Sequence, residues 1–144
     1  MESGHLRWIE PEGPAKALAL VTHGLNLAPR RMSELQKLLK RYGVLSALYP
    51  LPGHRGEWWS LAGLGVSDVH RSAMMAALEV RRVKEERGLR RSYLVAHSLG
   101  ALAFLSAMAV GRESKEESVA EFWAGEKRRP FDLALLLAPA IGLR

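Results

Sequence analysis

The stretch from Ser92 to Val110 passes from an apolar run of strand length into a helical pattern with no loop between them. The run ends at Ala96, and residues that fit one face of a helix then recur at i, i+3, i+4 and i+7: Leu99, Leu102, Ala103 and Ser106. Ser98 stands at the junction. A turn this sharp is strained and leaves room only for small residues two places on either side of the serine, a demand that Ala96 and Gly100 meet.

A serine at such a junction has two chemical interpretations. The turn would lift the Ser98 hydroxyl to the edge of a sheet and direct the backbone N–H of Leu99 at the group that the hydroxyl attacks, as a nucleophile requires. A helix N-cap is the ordinary alternative, because a serine side chain there accepts an N–H of the first turn. The pentapeptide from Ala96 to Gly100 is compatible with both.

The whole chain alternates continuous apolar runs of strand length with amphipathic segments of helix length. Strands are predicted at Ala17–Thr22, Val44–Tyr49, Ser92–Ala96 and Phe131–Ala138, with a short additional strand within His5–Ile9. Unbroken apolar runs are typical of strands that are covered on both faces. The pattern therefore predicts the α/β class, with a mostly parallel sheet and helices on both of its faces.

Two long helices are predicted before the one that follows Ser98. The first starts with a capping box at Ser33–Gln36, stops at Gly43, and has an apolar face of Leu35, Leu38, Leu39 and Tyr42. The second covers Ser67–Arg87, with an apolar stripe of Val69, Ala73, Ala76, Val80 and Val83. A short helix is expected within Glu116–Trp123.

Right-handed crossovers bring the carboxyl ends of parallel strands to one edge of a sheet. His23 follows the first long strand, Pro52–His54 the second, Ser98 the third and Pro139 the fourth. Because ligands of open α/β sheets bind at that edge, these positions mark the expected functional site.

The composition argues against several kinds of site. The chain has no cysteine, so neither disulfides nor thiolate chemistry is expected, and no pair of histidines has the spacing of metal ligands. No phosphate-binding glycine motif is present, and we expect no cofactor. No apolar run reaches the about 18 residues of a membrane span, and the N-terminus has no signal-peptide pattern, so a cytoplasmic protein is expected.

The formal net charge of +6 comes largely from basic pairs that are scattered along the chain: Arg30-Arg31, Arg81-Arg82, Arg90-Arg91 and Arg128-Arg129. Acidic residues stand among them, and neither a basic stripe interleaved with aromatic residues nor a known nucleic-acid-binding motif is present. We therefore expect a solvated surface and no nucleic-acid partner.

Taken together, the motifs resemble those of the α/β-hydrolase family, in that family's order. His23-Gly24 is similar to the oxyanion motif, and Pro52-Gly53-His54-Arg55-Gly56 is similar to the Pro-Gly-His-Gly loop with one inserted arginine. Ala96–Gly100 is similar to the nucleophile elbow, with alanine in place of the usual first glycine. The resemblance is to serine esterases and monoacylglycerol-lipase-like hydrolases.

This resemblance implies a site for a small-molecule ester. Ser98 would be the nucleophile, and the backbone N–H groups of Leu25 and Leu99 would form the oxyanion hole. Four further residues would shape the loops around the substrate: His23, Gly24, His54 and Trp58. Packing beneath a loop is the alternative for the tryptophan.

The resemblance does not extend to the family's general base and acid, which follow the serine in its sequences. No histidine follows His97 here, and Asp132 opens its strand, at the wrong end of the sheet. We expect residues 1–144 to be a single, incomplete domain that lacks its C-terminal strands, with the remainder or a partner covering the edge at Leu133–Ala138. Ester hydrolysis through an acyl-serine is the leading hypothesis, and a non-catalytic binding module that keeps the pocket is the alternative.

Overall fold

The computed structural model describes residues 6–24, 32–52, 65–111 and 130–137. Within them the elements are, in chain order, β1 (Arg7–Ile9), β2 (Ala17–Thr22), α1 (Ser33–Arg41), β3 (Val44–Tyr49), α2 (Val66–Glu86), β4 (Ser92–His97), α3 (Leu99–Gly111) and β5 (Leu133–Leu137). The predicted strands and the three long helices are all found. The short helix expected at 116–123 lies outside the described residues.

The described strands form one sheet in the order β1-β3-β2-β4-β5. β2 pairs in parallel with β3 and β4, and β4 pairs in parallel with β5, whereas β1 runs antiparallel to β3. The predicted mostly parallel sheet is therefore confirmed. We call the edge at which β2 to β5 end the C-terminal edge, and the edge at which they begin the N-terminal edge.

Helices cover both faces of this sheet, as the sequence predicts. α1 packs on one face against Val21, Leu48 and Val95. α2 and α3 pack on the other face, where the alternate residues of the same strands point, such as Leu20 and Leu94. Each central strand is thus apolar on both sides because it has helices on both sides.

The start of α1 differs from its prediction. Met32 is the N-cap residue and no side chain caps the helix, so the predicted capping box is wrong. Ser33 is already the first helical residue, one position too late for its hydroxyl to act as the cap.

The buried face of α1 also differs. Leu38 and Tyr42 are 48% and 70% exposed, while Gln36 is buried. The amide of Gln36 donates a hydrogen bond to Ser46 Oγ of β3, at 3.3 Å. A polar residue therefore faces the sheet because a polar partner lies opposite, which the apolar pattern of α1 alone does not reveal.

The buried stripe of α2 is confirmed: Ala73, Ala76, Val80 and Val83 are buried and Val69 is partly buried against the same core. α3 is apolar on nearly all sides, so its sequence does not select one face. Leu102, expected in the core, is 41% exposed, and Phe104 is buried instead. The Phe104 ring packs edge-on against Tyr49, with ring centroids 5.3 Å apart.

Candidate active site

Ser98 lies at the C-terminal edge, between the end of β4 and the start of α3, with a backbone φ of +47°. Among the described residues no other non-glycine residue has a positive φ. This left-handed conformation costs an L-residue roughly 1–2 kcal/mol, so the surrounding contacts must hold it. One of them is the hydrogen bond that the Ser98 N–H donates to the carbonyl of Leu137, at 2.9 Å.

Gly100 brings the first turn of α3 against the end of β2. A Cβ on Gly100 would lie 2.6 Å from the carbonyl oxygen of His23 and 2.8 Å from Thr22 Cγ2. Neither is a flexible side-chain end, so no larger residue fits without moving backbone. The small residue expected two places after the serine is thus required by a backbone contact.

Gly24 brings the chain that leaves β2 into contact with the serine. A Cβ on Gly24 would lie 2.8 Å from Ser98 Cβ and 3.4 Å from Ser98 Oγ. The motif at His23-Gly24 and the junction at Ser98, which are far apart in the sequence, therefore meet at one point of the C-terminal edge.

The backbone donors and loop residues expected at this site fall into two groups. The N–H of Leu99 belongs to the first turn of α3, where amides have no acceptor within the helix. Leu25, His54 and Trp58 lie outside the described residues.

His23 is fully buried, and backbone groups engage both of its ring nitrogens. The N–H of Leu51 donates to Nε2 at 3.2 Å, so the ring proton resides on Nδ1 and is donated to the carbonyl of Gly24 at 2.9 Å. This arrangement fixes the tautomer and ties β2, Gly24 and the segment after β3 together. His23 therefore has no ring nitrogen available to accept a proton from Ser98.

His97 lies next to Ser98, and strand alternation predicts that the two side chains point apart. Its Nδ1 instead lies 2.8 Å from the Cβ position of Gly24, which the side chain of Ser98 also approaches. The reason is that Ser98 leaves the extended conformation, so alternation does not continue through it. His97 Nδ1 is buried and has no hydrogen-bond partner among the described residues.

The carboxylate of Asp132 lies at the N-terminal edge, directly before β5. It accepts hydrogen bonds from the N–H of Ser92 at 2.7 Å and from Lys84 Nζ at 2.9 Å. Burial alone would raise the pKa of Asp132, but the hydrogen bonds from Lys84 and Ser92 outweigh it and hold the pKa below its ordinary value. Its Oδ2 is engaged in this cluster, at the opposite end of β4 from Ser98.

Tyr49 ends β3 at the C-terminal edge and is buried. Burial raises the pKa of its phenol to about 12, although a hydrogen bond with Ser72 opposes that effect. The hydroxyl is therefore protonated near neutral pH and donates to Ser72 Oγ at 2.6 Å. Tyr49 is a structural link between β3 and α2.

The described residues, 6–24, 32–52, 65–111 and 130–137, contain neither a candidate metal site nor a helix that could span a membrane. They hold no group of three or more histidine, aspartate or glutamate side chains that could bind a metal ion. No helix in these ranges is both long enough and apolar enough to cross a membrane.

Solved structures share this architecture. One comes from work on LipS and LipT, two metagenome-derived lipolytic enzymes, and matches 78% of this chain with a TM-score of 0.56 at 22% identity. Another is the highly thermostable carboxyl esterase of Bacillus coagulans, which matches 90% of this chain with a TM-score of 0.60 at 15% identity. The chain spans 42% and 37% of the lengths of these two structures.

No protein-family model matches the sequence, and no curated protein matches it. The structural likeness, at these identities, concerns the fold. The order of the described strands, the helices on both faces and the strand-to-helix turn at Ser98 agree with it. The chain accordingly has the α/β-hydrolase fold.

Proposed function

We propose that this chain carries the nucleophile and the oxyanion-binding groups of a serine hydrolase that acts on carboxylic esters. The observation that supports the proposal best is the contact of Gly24 with Ser98, a serine held at a φ of +47° between a strand and a helix. A capping serine needs neither the strained backbone nor a second loop packed against its side chain.

The proposed reaction begins with attack of Ser98 Oγ on the ester carbonyl carbon. The carbonyl oxygen becomes an oxyanion, which the N–H groups of Leu99 and Leu25 would stabilise by about 2.7–4 kcal/mol each. Collapse of this intermediate breaks the ester C–O bond, releases the alcohol and leaves an acyl-serine. Water then attacks the acyl group, releasing the carboxylic acid and restoring the hydroxyl.

The proton of the Ser98 hydroxyl must pass to a base, because a neutral hydroxyl is a weak nucleophile. His23 is engaged through both ring nitrogens, and Asp132 lies at the other edge of the sheet. The proposal therefore assigns the role of base or acid to neither His23 nor Asp132.

Esters are proposed as the substrate class because the two solved structures with this fold are described as a lipolytic enzyme and a carboxyl esterase. Their low identity leaves the acyl group and the alcohol unspecified. Trp58, from the sequence, is the proposed lining of the acyl pocket.

A second candidate function is a binding module that keeps the pocket without the chemistry. The engagement of His23 favours it, since this histidine, which follows β2 and precedes Gly24, is a structural residue. In this case an ester would bind beside Ser98 and leave unchanged.

The test is hydrolysis of a short-chain aryl ester by the full chain, by Ser98→Ala and by Ser106→Ala as a matched control on the same helix. We expect turnover far below the roughly 10 s⁻¹ of ordinary enzymes, because oxyanion binding without base and acid leaves about 10³–10⁴-fold acceleration over water. Because oxyanion binding supplies that remainder without the serine, the readout for Ser98 is acyl transfer from the aryl ester to the protein, followed by mass spectrometry. The parent chain and Ser106→Ala should gain the acyl group, and Ser98→Ala should not.

Three results would count against parts of the proposal. Equal acyl transfer to the parent chain and to Ser98→Ala means that Ser98 is not the nucleophile. Ordinary esterase turnover that depends on Ser98 means that a base lies within the chain. Saturable binding of the ester with no hydrolysis above that of water favours the binding module.

A further inference from the structure

Five basic residues stand shortly before parallel strands at the N-terminal edge, opposite Ser98, and we call this group the basic edge: Lys16, Lys40, Arg41, Arg90 and Arg91. The topology places them there, because each precedes a parallel strand. Lys16 precedes β2, Lys40 and Arg41 end α1 directly before β3, and the two later arginines precede β4. Parallel strands begin at a common edge, so residues scattered along the sequence become neighbours.

Backbone and side-chain contacts fix this grouping. The N–H of Lys16 donates to the carbonyl of Gly43 at 2.8 Å, and its side-chain carbons lie 3.3–3.5 Å from the Cβ position of Gly43. The N–H of Leu18 donates to the carbonyl of Arg91 at 3.0 Å. The cations of β2, β3 and β4 thus form one row across three adjacent strands.

Ion pairing does not neutralise the basic edge. Several cations elsewhere are paired, as Lys37 is with Glu34 and Arg82 with Glu79 and Glu86. At the N-terminal edge itself Lys84 pairs with Asp132, and Arg87 with Glu10. None of the five basic-edge side chains has an ion pair within the described part of the chain, and four of the five are exposed.

Stabilisation of a helix C-terminus by nearby cations explains only part of the basic edge. Lys40 and Arg41 stand in the last turn of α1, where cations are favourable. Lys16, Arg90 and Arg91 are not in helices, so that explanation does not reach them. Of the acidic residues near this edge, Asp132 and Glu10 are paired with Lys84 and Arg87. Glu12 donates its backbone N–H to the carbonyl of Lys40 at 3.3 Å and has no ion pair among the described residues.

Exposed apolar groups adjoin the basic edge on the side of α1. Tyr42 follows Arg41 and is 70% exposed, and Leu38 lies one turn before it, 48% exposed. A tyrosine with an apolar ring and a polar hydroxyl suits the headgroup level of a bilayer. A platform for single-stranded nucleic acid stacks successive bases on several aromatic rings, and Tyr42 is the one exposed aromatic residue in the described part.

We propose that the basic edge binds the surface of an anionic phospholipid membrane, with Lys16, Lys40, Arg41, Arg90 and Arg91 against lipid phosphate and carboxylate groups. A row of cations along one sheet edge can meet a flat surface together, and Tyr42 enters the headgroup layer beside it. Ser98 then faces the aqueous side. The proposal is independent of the reaction at Ser98.

The test uses the full chain and vesicles of phosphatidylcholine, with and without phosphatidylserine, in a sedimentation assay near 0.1 M salt, where the Debye length is about 10 Å. Two variants carry the same change in net charge. The basic-edge variant combines Lys16→Gln, Arg41→Gln, Arg90→Gln and Arg91→Gln. The control combines Lys37→Gln, Arg71→Gln, Arg81→Gln and Arg82→Gln.

We expect binding only to the vesicles with phosphatidylserine. Each basic residue near an anionic surface contributes about fivefold to partitioning, so the basic-edge variant should lose about 10²–10³-fold while the control keeps most of its binding. Tyr42→Ser should lose less than the basic-edge variant. Circular dichroism and urea unfolding of each variant establish that a loss is not a loss of folding.

Three outcomes would overturn the proposal. Absence of binding to phosphatidylserine vesicles by the parent chain removes it directly. Equal losses in the two variants mean that net charge, and not this edge, governs binding. Tighter binding of a single-stranded thymidine oligonucleotide, lost in the same basic-edge variant, assigns the surface to nucleic acid.

Discussion

Two serines mark the two ends of β4, and their surroundings are opposite. Ser92 opens the strand, is fully buried, and its hydroxyl donates to the carbonyl of Pro130 at 3.1 Å. Asp132 Oδ2 lies 3.2 Å from that hydroxyl, and Lys84 Nζ lies 3.3 Å from it. Ser98 follows the strand, is half-buried, and has no side-chain hydrogen bond within the described residues.

The comparison shows that an acid and an amine beside a serine do not by themselves mark it as reactive. Ser92 has an acid and an amine beside it, as a reactive serine would. However, its backbone is extended and unstrained, its side chain is buried, and its hydroxyl is already hydrogen-bonded. Among the described residues no acid or amine forms a hydrogen bond with the Ser98 side chain, but Ser98 is only half-buried, has a strained backbone and adjoins the first turn of a helix. The N-terminal end of β4 is thus built for stability, and strain is kept at the end where we propose the chemistry.

The largest effect on the free energy of unfolding is expected for Gly100→Ala, which disturbs the turn at the Ser98 end of β4. Its Cβ would stand 2.6 Å from the backbone carbonyl of His23, so the turn or β2 must move. We expect a loss near the upper end of the about 1–3 kcal/mol for overpacking, measured by urea unfolding.

Gly13→Ala is the matched control for Gly100, because a Cβ at Gly13 meets nothing within 4 Å. It should change the free energy of unfolding by less than about 0.5 kcal/mol. Equal effects of the two substitutions would mean that the contact between α3 and the end of β2 is not tight.

Asp132→Ala disrupts the polar cluster at the Ser92 end of β4. It leaves the N–H of Ser92 without its acceptor and removes the partner of Lys84, so a loss of about 1–3 kcal/mol in the free energy of unfolding is expected. Glu34→Ala removes another lysine-paired carboxylate, on an exposed helix face, and should cost less than about 1 kcal/mol. A larger loss for Glu34→Ala would contradict the structural role given to the Ser92 cluster.

Sequence pattern predicts β2 and β3 to the residue, because each is a mainly apolar run of strand length. It predicts Gly43 as the end of α1, and the structure shows why, since its φ is +75°. The need for small side chains at Ala96 and Gly100 can also be predicted from the sequence, because a strand-to-helix turn limits side-chain size whichever residues pack against it.

Tertiary partners explain what the pattern misses. Gln36 is buried because Ser46 faces it, and Asp132 bonds to Ser92 and Lys84 from 40 and 48 positions away in the chain. The sequence gives no sign of such pairs, since each residue alone looks like a surface residue. The contact of Gly24 with Ser98 belongs to the same class: the need for a small residue is local, but its neighbour is not.

Ser98→Gly tests the backbone strain at Ser98, because the substitution relieves the strain and removes no side-chain hydrogen bond seen among the described residues. Glycine adopts a φ of +47° at no steric cost, so we expect a gain of about 1 kcal/mol in the free energy of unfolding. Ser92→Gly, at the extended end of the same strand, should lose stability, because its hydroxyl bonds disappear and a strand interior disfavours glycine. A loss at both positions would mean that the left-handed turn at Ser98 is not strained.

The smallest effect concerns pH and tests whether the Ser92 end owes its stability to an ionised group. The pKa of Asp132 is lowered in the folded chain: burial opposes this, but the hydrogen bonds from Lys84 and Ser92 prevail. An unfolded aspartate titrates near about 3.9, so the contribution is complete above that value and decreases as the pH falls through the lower folded pKa. Because the Asp132 side chain is 47% exposed, we expect less than about 1 kcal/mol. The measurement is the difference in the free energy of unfolding between the parent chain and Asp132→Asn. It should be constant from about pH 7 to 5 and decrease toward pH 3, and a difference that stays constant to pH 3 would mean that charge at Asp132 does not stabilise the fold.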